Sequence, residues 1–75
     1  MKNKSLSNTF GKNLRIAMAV RNIKTGKLHE MSGVSITTIM ALEYGHNKGV
    51  QFITIEKLCN ALELKPSKLF EQEGK

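Results

Sequence analysis

Apolar residues recur at the spacing of an amphipathic helix in five stretches of this chain, and no stretch alternates as a β-strand does. In the first stretch Phe10, Leu14 and Ala17 share one face, and Asn8 or Thr9 could cap its start. The pattern predicts an all-α fold of five helices, with no internal repeat. The apolar positions of the other four helices are Leu28, Met31, Ile39, Leu42, Ile55, Leu58, Cys59, Leu62, Leu69 and Phe70.

Hydroxyl and glycine residues mark the limits of the second and third helices. The second is predicted over residues 26–32, with Thr25 as its cap. Gly33 follows, and glycine readily adopts the left-handed conformation that ends many helices. Ser35 could cap a third helix over residues 36–44. The two helices are therefore expected to be joined by a short turn.

The length of 75 residues allows one domain with a small core, because such a chain buries only about 60% of its unfolded surface. We expect that domain over residues 9–71, preceded by a flexible polar arm at 1–8 and followed by a tail at 72–75. The longest apolar stretch, residues 14–20, is interrupted by Arg15 and resembles neither a signal-peptide core nor a membrane span. One cysteine cannot form an internal disulfide, which fits a reducing, cytoplasmic compartment.

Positive charge is concentrated in the first two thirds of the chain. Residues 1–48 hold eight Lys or Arg against two Glu, whereas residues 49–75 hold four of each sign. This asymmetry is expected when the partner is a polyanion, although a solvated basic surface would give the same counts. The sequence has no Asp, two His and one Cys, so it offers neither a catalytic set nor a metal-ligand set. We expect no enzyme activity, no cofactor and no metal, and we interpret Cys59 as a core residue.

The segment TGKLHEMSGVSITTIMALEYG predicts a helix-turn-helix over residues 25–44, although a plain αα-hairpin has the same periodicity. With FGKNLRIAMAVRNI before it and ITIEKLCNALELKPSKLF after it, the chain resembles the lambda-repressor/Cro-type helix-turn-helix family, also called the XRE family. The resemblance covers residues 10–70. It implies a compact, lambda-repressor-like bundle of five helices whose function is sequence-specific control of transcription.

The resemblance assigns base contacts to five residues of the third helix: Ser35, Ile36, Thr37, Met40 and Ala41. None of them is Arg, Asn or Gln, so the bidentate pairs that identify guanine or adenine are missing. Thr37 can form one hydrogen bond, and Ile36, Ala41 and the threonine methyl suit thymine C5-methyl groups. We expect weak direct readout and a large contribution from phosphates and DNA shape. Alternatively, Ile36 and Met40 pack against another protein chain. Thr38 is expected on the inner edge, as a packing residue.

Phosphate contacts are expected from the ends of the second and third helices and from their flanks. The start of a helix offers free backbone amides to an anion. By match to the family, the candidate residues are Asn13, Thr25, Lys27, Asn47 and Lys48. Each has an alternative interpretation as a solvated surface residue.

Two departures from the family pattern affect the site. His29 occupies a position where the family usually has Ala, so its ring must swing outward or widen the crossing of the second and third helices. Met18 replaces an arginine that usually pairs with the glutamate matching Glu43. Glu43 must then pair with Arg15 or Arg21, or remain solvated.

These observations together predict a small transcriptional regulator, a dimeric repressor that binds double-stranded DNA at half-sites about one helical turn apart. Neither a membrane nor a small-molecule ligand is expected as a partner. Dimer contacts are expected near the apolar end formed by Leu64, Leu69 and Phe70, away from the basic face. Two alternatives remain: the antitoxin of a toxin–antitoxin pair, and a protein-interaction module that kept the fold and lost base recognition.

Overall fold

The computed structural model describes residues 5–72, and over that range the chain forms five α-helices and no strand. The expected all-α, five-helix fold is confirmed, and the third helix begins one residue after Ser35. None of the helices in these residues is long and apolar enough to cross a membrane. The helices are α1 (Leu6–Val20), α2 (Thr25–Ser32), α3 (Ile36–Glu43), α4 (Phe52–Leu62) and α5 (Pro66–Phe70).

The first helix begins earlier than expected. Ser5 occupies the N-cap, where its hydroxyl accepts a hydrogen bond of 3.1 Å from the backbone N–H of Asn8. Neither Asn8 nor Thr9 is the cap, and residues 6–8 are helical rather than part of a flexible arm. The Ser5 hydroxyl stabilises this earlier start because it accepts from one of the backbone amides that the first turn of a helix leaves unpaired. The remainder of the predicted arm, residues 1–4, and most of the predicted tail, residues 73–75, lie outside the described residues.

The core lies where α1 meets α3 and α5, and where α2 meets α3 and α4. The rings of Phe10 and Phe70 pack in a T-shaped arrangement, with their centroids 5.3 Å apart. Met31 was expected in this core but is largely exposed, because α2 is short and buries only Leu28. The buried apolar residues are Phe10, Leu14, Ala17, Met18, Leu28, Val34, Ile39, Leu42, Ile55, Leu58, Cys59, Leu62 and Leu69.

Cys59 lies in this core, as expected. Burial raises the pKa of the Cys59 thiol, because the surroundings disfavour the thiolate. The side chain therefore acts as a small apolar residue rather than as a nucleophile.

The end that was expected to form the dimer contact is largely part of the core. Leu69 is fully buried, and Leu64 and Phe70 are half-buried and packed against the core. The hydrophobic pattern identified these residues as apolar, but α5 uses them to close the bundle. The exposed apolar residues lie elsewhere, among them Leu6 at the start of α1 and Phe52 and Ile53 at the start of α4.

A glycine allows α1 and α3 to come into backbone contact. A Cβ atom at Gly11 would lie 2.6 Å from the carbonyl oxygen of Leu42 and 2.7 Å from that of Glu43. One turn further along α1, the guanidinium of Arg15 donates a hydrogen bond to the same Glu43 carbonyl. The last turn of a helix has carbonyls without partners inside the helix, and α1 supplies a donor for this one. The C-terminal end of α3 is thereby fixed against α1.

Candidate nucleic-acid interface

The turn between α2 and α3 is fixed by backbone conformation and by a serine. Gly33 has φ +79°, the left-handed conformation predicted for it, and its N–H donates to the carbonyl of His29. The Ser32 hydroxyl donates to the Leu28 carbonyl at 2.7 Å and accepts from the Val34 N–H at 3.1 Å. Leu28 and Val34 are both buried, so the turn is joined to the core. These contacts set the angle at which α3 leaves α2.

His29 is accommodated at the turn. Its ring is half-buried, and Nδ1 lies 2.8 Å from the carbonyl oxygen of Val34. Because a carbonyl can only accept, Nδ1 carries the hydrogen in this contact. The ring therefore lies against the turn and adds a hydrogen bond there, which is how a histidine fits where the resemblance implies alanine.

The outward side of α3 carries all five residues expected to contact bases. Ile36 is 43% exposed and Met40 49%, Thr37 is also exposed, and Ala41 is half-buried. Ser35 precedes them as the N-cap of α3. The buried residues Ile39, Leu42 and Glu43 occupy the opposite side of the helix. We call the outward set, Ser35, Ile36, Thr37, Met40 and Ala41, the recognition face.

Thr38 does not pack inside the domain, contrary to expectation. It is exposed at the margin of the recognition face, and its hydroxyl accepts a hydrogen bond of 2.9 Å from Ser35. The Ser35 hydroxyl in turn accepts from the Thr38 backbone N–H at 3.1 Å. This reciprocal pair uses the hydroxyl hydrogen of Ser35 at the start of α3, an arrangement that periodicity alone did not reveal.

The loop after α3 borders the recognition face across a cavity of about 340 Å³ that Thr37 and Ala41 line on one side. The Asn47 side-chain amide donates to the backbone carbonyl of Gly49 at 2.6 Å. The backbone carbonyl of Asn47 accepts a hydrogen bond of 3.0 Å from the Ser7 hydroxyl. Asn47, a candidate phosphate contact, thus shapes the loop and fixes it to α1. Lys48 lies next to it and is exposed.

Lys27 is an exposed cation within the motif, on α2. Its ammonium lies 4.0 Å from a carboxylate oxygen of Glu30, and both side chains are well exposed to solvent. An exposed pair of this kind contributes about 0–1 kcal/mol, so a phosphate can replace the carboxylate at little cost. Lys27 and Lys48 therefore remain suited to the phosphate contacts expected of them.

Glu43 has a partner that the sequence did not indicate. The residue is 6% exposed, and its carboxylate accepts a hydrogen bond of 2.7 Å from the hydroxyl of Thr25. Arg15 binds the Glu43 backbone instead, and Arg21 donates to the carbonyls of Ala17 and Glu63. The expectation that Arg15 or Arg21 pairs with the carboxylate is therefore wrong. Met18 is buried at the position where the resemblance implies an arginine. Thr25 on α2 is the partner of the Glu43 carboxylate instead.

The start of α2 also differs from the prediction. Lys24, not Thr25, occupies the N-cap, and it forms no side-chain capping hydrogen bond. Thr25 is the first helical residue, with its hydroxyl hydrogen donated to Glu43. At this end Thr25 therefore offers a phosphate its backbone N–H rather than its hydroxyl hydrogen.

Asn13, one of the expected phosphate contacts, forms hydrogen bonds inside the protein. Its side-chain amide donates to the carbonyl of Leu69 at 3.0 Å and to that of Glu71 at 2.7 Å. Both amide hydrogens are thus used to hold the C-terminal end of α5 against α1. These contacts span more than fifty residues of sequence, and local pattern gives no sign of them.

Replacing Asn13 with alanine should therefore affect stability and not DNA binding. We expect the free energy of unfolding to fall by about 1 kcal/mol, the usual size for lost hydrogen bonds at a partly exposed site. Urea denaturation followed by circular dichroism measures this loss. Affinity for a scrambled duplex should stay unchanged at a temperature where the variant is fully folded. A severalfold loss of that affinity would show that Asn13 also contacts a phosphate.

Comparison with known proteins agrees with this geometry. The family model described as the Cro/C1-type HTH DNA-binding domain matches residues 13–75. A curated relative, the uncharacterized HTH-type transcriptional regulator YozG of Bacillus subtilis (strain 168), is 29% identical over 59 residues, covering 79% of this chain and 70% of that protein.

Two solved structures share the fold over most of the chain. The restriction-modification controller protein C.AhdI from Aeromonas hydrophila has a TM-score of 0.79 and 28% identity, covering 85% of this chain and 96% of that one. The clp gene regulator ClgR from C. glutamicum has a TM-score of 0.79 and 27% identity, covering 89% and 86%. The protein therefore belongs to the Cro/C1-type helix-turn-helix family of DNA-binding transcriptional regulators, which are not enzymes.

Proposed function

We propose that this regulator is a homodimeric, cytoplasmic repressor that inserts α3 of each protomer into the major groove of one operator half-site. The observation that carries the proposal is the division of α3 into a buried side and the accessible recognition face. A groove-binding helix must keep one side free of the core, and α3 does so along its whole length. Half-sites then lie about one helical turn of DNA apart.

Base contacts in this proposal come from the recognition face, and phosphate contacts from the groups beside it. Lys27 and Lys48 provide charge on the two sides of α3, because one lies on α2 and the other in the loop that follows α3. The backbone of Thr25 and the loop held by Asn47 complete the set. Such contacts position the protein on the duplex, whereas contacts of α3 with base edges select the sequence.

The dimer contact is proposed at the exposed apolar residues rather than at the buried end of α5. Phe52 is 83% exposed and lines a cavity of about 280 Å³ together with Leu6 and the half-buried Phe70. Ile53 beside it is also exposed. Covering this surface with a second copy would remove a large aromatic ring from water, which is favourable in proportion to the apolar area buried.

The roles of α3 and its flanks can be separated by two substitutions. Replacing Lys48 with alanine should weaken binding similarly on all duplexes and lower the slope of log K against log salt by about one unit. Replacing Thr37 with alanine should act mainly on the preferred site, costing on the order of 1 kcal/mol without changing the slope. Titrations against a specific and a scrambled duplex at two salt concentrations measure both effects.

The same titrations decide against the proposal if both variants bind both duplexes as the wild type does. α3 would then not be a recognition helix, and the protein-interaction module would become the better interpretation. The exposure of Ile36 and Met40 is the observation that favours this second candidate, because exposed apolar side chains also suit a protein partner.

Self-association is tested by replacing Phe52 with glutamate. Sedimentation equilibrium at tens of micromolar should give the mass of a dimer for the wild type and of a monomer for the variant, because a carboxylate at the contact would be desolvated on pairing. Val20→Glu is the matched control, since Val20 is also largely exposed but lies at the other end of α1 from Leu6. A strictly monomeric wild type, with and without DNA, would contradict the dimer.

A further inference from the structure

Several polar groups of α3 already form hydrogen bonds within the protein. The Ser35 hydroxyl donates to the Thr38 hydroxyl and accepts from the Thr38 backbone N–H. Glu43, the one charged residue of the helix, is buried and accepts from Thr25. Among the side chains of the recognition face, only the hydroxyl of Thr37 is a polar group outside these contacts. The helix therefore enters the groove with hydroxyl groups only, and none of its exposed side chains can form a bidentate pair with a base.

The recognition face is instead rich in methyl groups. Ile36 and Met40 are one helical turn apart and each about half exposed, so they form an apolar ridge along the helix. The Thr37 and Ala41 side chains form a second ridge beside it and line the cavity next to the loop. Apolar side chains in the major groove have one specific apolar target, the methyl group on C5 of thymine.

We infer that this protein recognises pyrimidine C5-methyl groups and therefore binds 5-methylcytosine at positions where it binds thymine. The inference rests on the proposed function, in which this face enters the major groove. 5-Methylcytosine carries its methyl group at the same ring position as thymine, so it offers the same apolar contact in the groove. A face that reads the methyl group and forms no bidentate pair with the opposite purine has little means to separate the two bases. DNA binding by this regulator is consequently sensitive to cytosine methylation.

The expected size of the effect follows from the area that a methyl group buries. Each methyl contact should change the dissociation constant by about fourfold, the effect of burying one methylene-sized group. A helix that formed bidentate hydrogen bonds with adenine would show the opposite pattern. It would tolerate loss of the thymine methyl and would reject any G·C pair, methylated or not.

The test uses a duplex selected by the wild-type protein from a randomised pool. Each thymine in it is first replaced by uracil, which removes only the methyl group. At every position where this weakens binding, four duplexes are compared by fluorescence anisotropy, carrying T·A, U·A, 5-methylcytosine·G or C·G. We expect the methylated member to bind about fourfold more tightly within each pair, thymine against uracil and 5-methylcytosine against cytosine.

A double variant assigns the effect to α3. Ile36→Ser with Met40→Ser should bring both ratios close to one, because the apolar ridge is gone. Ile16→Ser with Val20→Ser is the matched control, since it removes two exposed apolar side chains from α1 and should leave both ratios unchanged. Circular dichroism establishes that both double variants are folded before they are compared.

The outcomes separate this inference from the function on which it rests. If no duplex is enriched above non-specific binding, the proposed function itself fails. If a duplex is selected but uracil and cytosine bind as well as their methylated counterparts, methyl recognition is wrong while operator binding stands. If thymine is preferred over uracil but 5-methylcytosine is not preferred over cytosine, sensitivity to cytosine methylation is overturned.

Discussion

Replacing Gly11 with alanine should lower the free energy of unfolding by about 2 kcal/mol. The new Cβ would lie 2.6 Å from one carbonyl oxygen of α3 and 2.7 Å from the next, and both belong to backbone that cannot rotate away. Overpacking of this kind costs up to about 3 kcal/mol. Alanine returns about 1 kcal/mol through its better helix propensity, so the clash determines the sign. A domain of this size has roughly 4–11 kcal/mol of stability in total.

Gly26→Ala is the matched control for this prediction. Gly26 also lies in a helix, but apart from its chain neighbours and the nearby backbone of α2 no atom comes within 4 Å of a Cβ built there. Alanine at this position should therefore stabilise the protein by about 0.4–1 kcal/mol. Urea unfolding of both variants measures the difference. Equal stability of the two variants would mean that α1 and α3 are not in backbone contact at Gly11.

Replacing Thr25 with valine should also cost about 2 kcal/mol. Valine keeps the shape of the side chain but removes the hydroxyl that donates to Glu43 at 2.7 Å. Glu43 is only 6% exposed, and its carboxylate would lose a charge-assisted hydrogen bond, a contribution of roughly 1.5–3 kcal/mol. The free energy of unfolding at neutral pH is the quantity to compare.

A double variant distinguishes this hydrogen bond from a general effect of the substitution. Glu43→Met replaces the carboxylate by an apolar chain of similar length, and removing both partners of a buried hydrogen bond can be nearly neutral. Thr25→Val in the Glu43→Met background should therefore cost much less than it does in the wild type. If the double variant loses as much stability as the two single variants added together, Thr25 and Glu43 are not coupled.

Short-range features of the fold could be predicted from the sequence. The spacing of Leu28, Ile39 and Leu42 and the positions of Gly33 and Ser35 are enough to define α2, the turn and α3. A helix cap and a left-handed glycine each depend on only a few neighbouring residues, so the local pattern carries the information. The recognition face was expected from the resemblance to the family rather than from the apolar spacing, because Ile36 and Met40 are themselves apolar.

Choices between similar signals and long-range contacts could not be predicted. Ser5, Asn8 and Thr9 are all good capping residues within five positions, and the sequence alone does not select among them. Asn13 and Thr25 were placed beside DNA, but their hydrogen bonds reach residues far along the chain. Such contacts depend on the angles between helices, which the hydrophobic pattern does not specify.

The separation of the two sides of α3 has a consequence for how such regulators diverge. The side chains of Ile36, Thr37 and Met40 are exposed and contribute little to the core, whereas Leu42 and Glu43 are held by α1 and α2. Substitutions at the exposed positions can change operator preference while leaving the folded state almost as stable as before. Gene duplication followed by a few changes on one helix is then sufficient to produce a regulator for a different promoter.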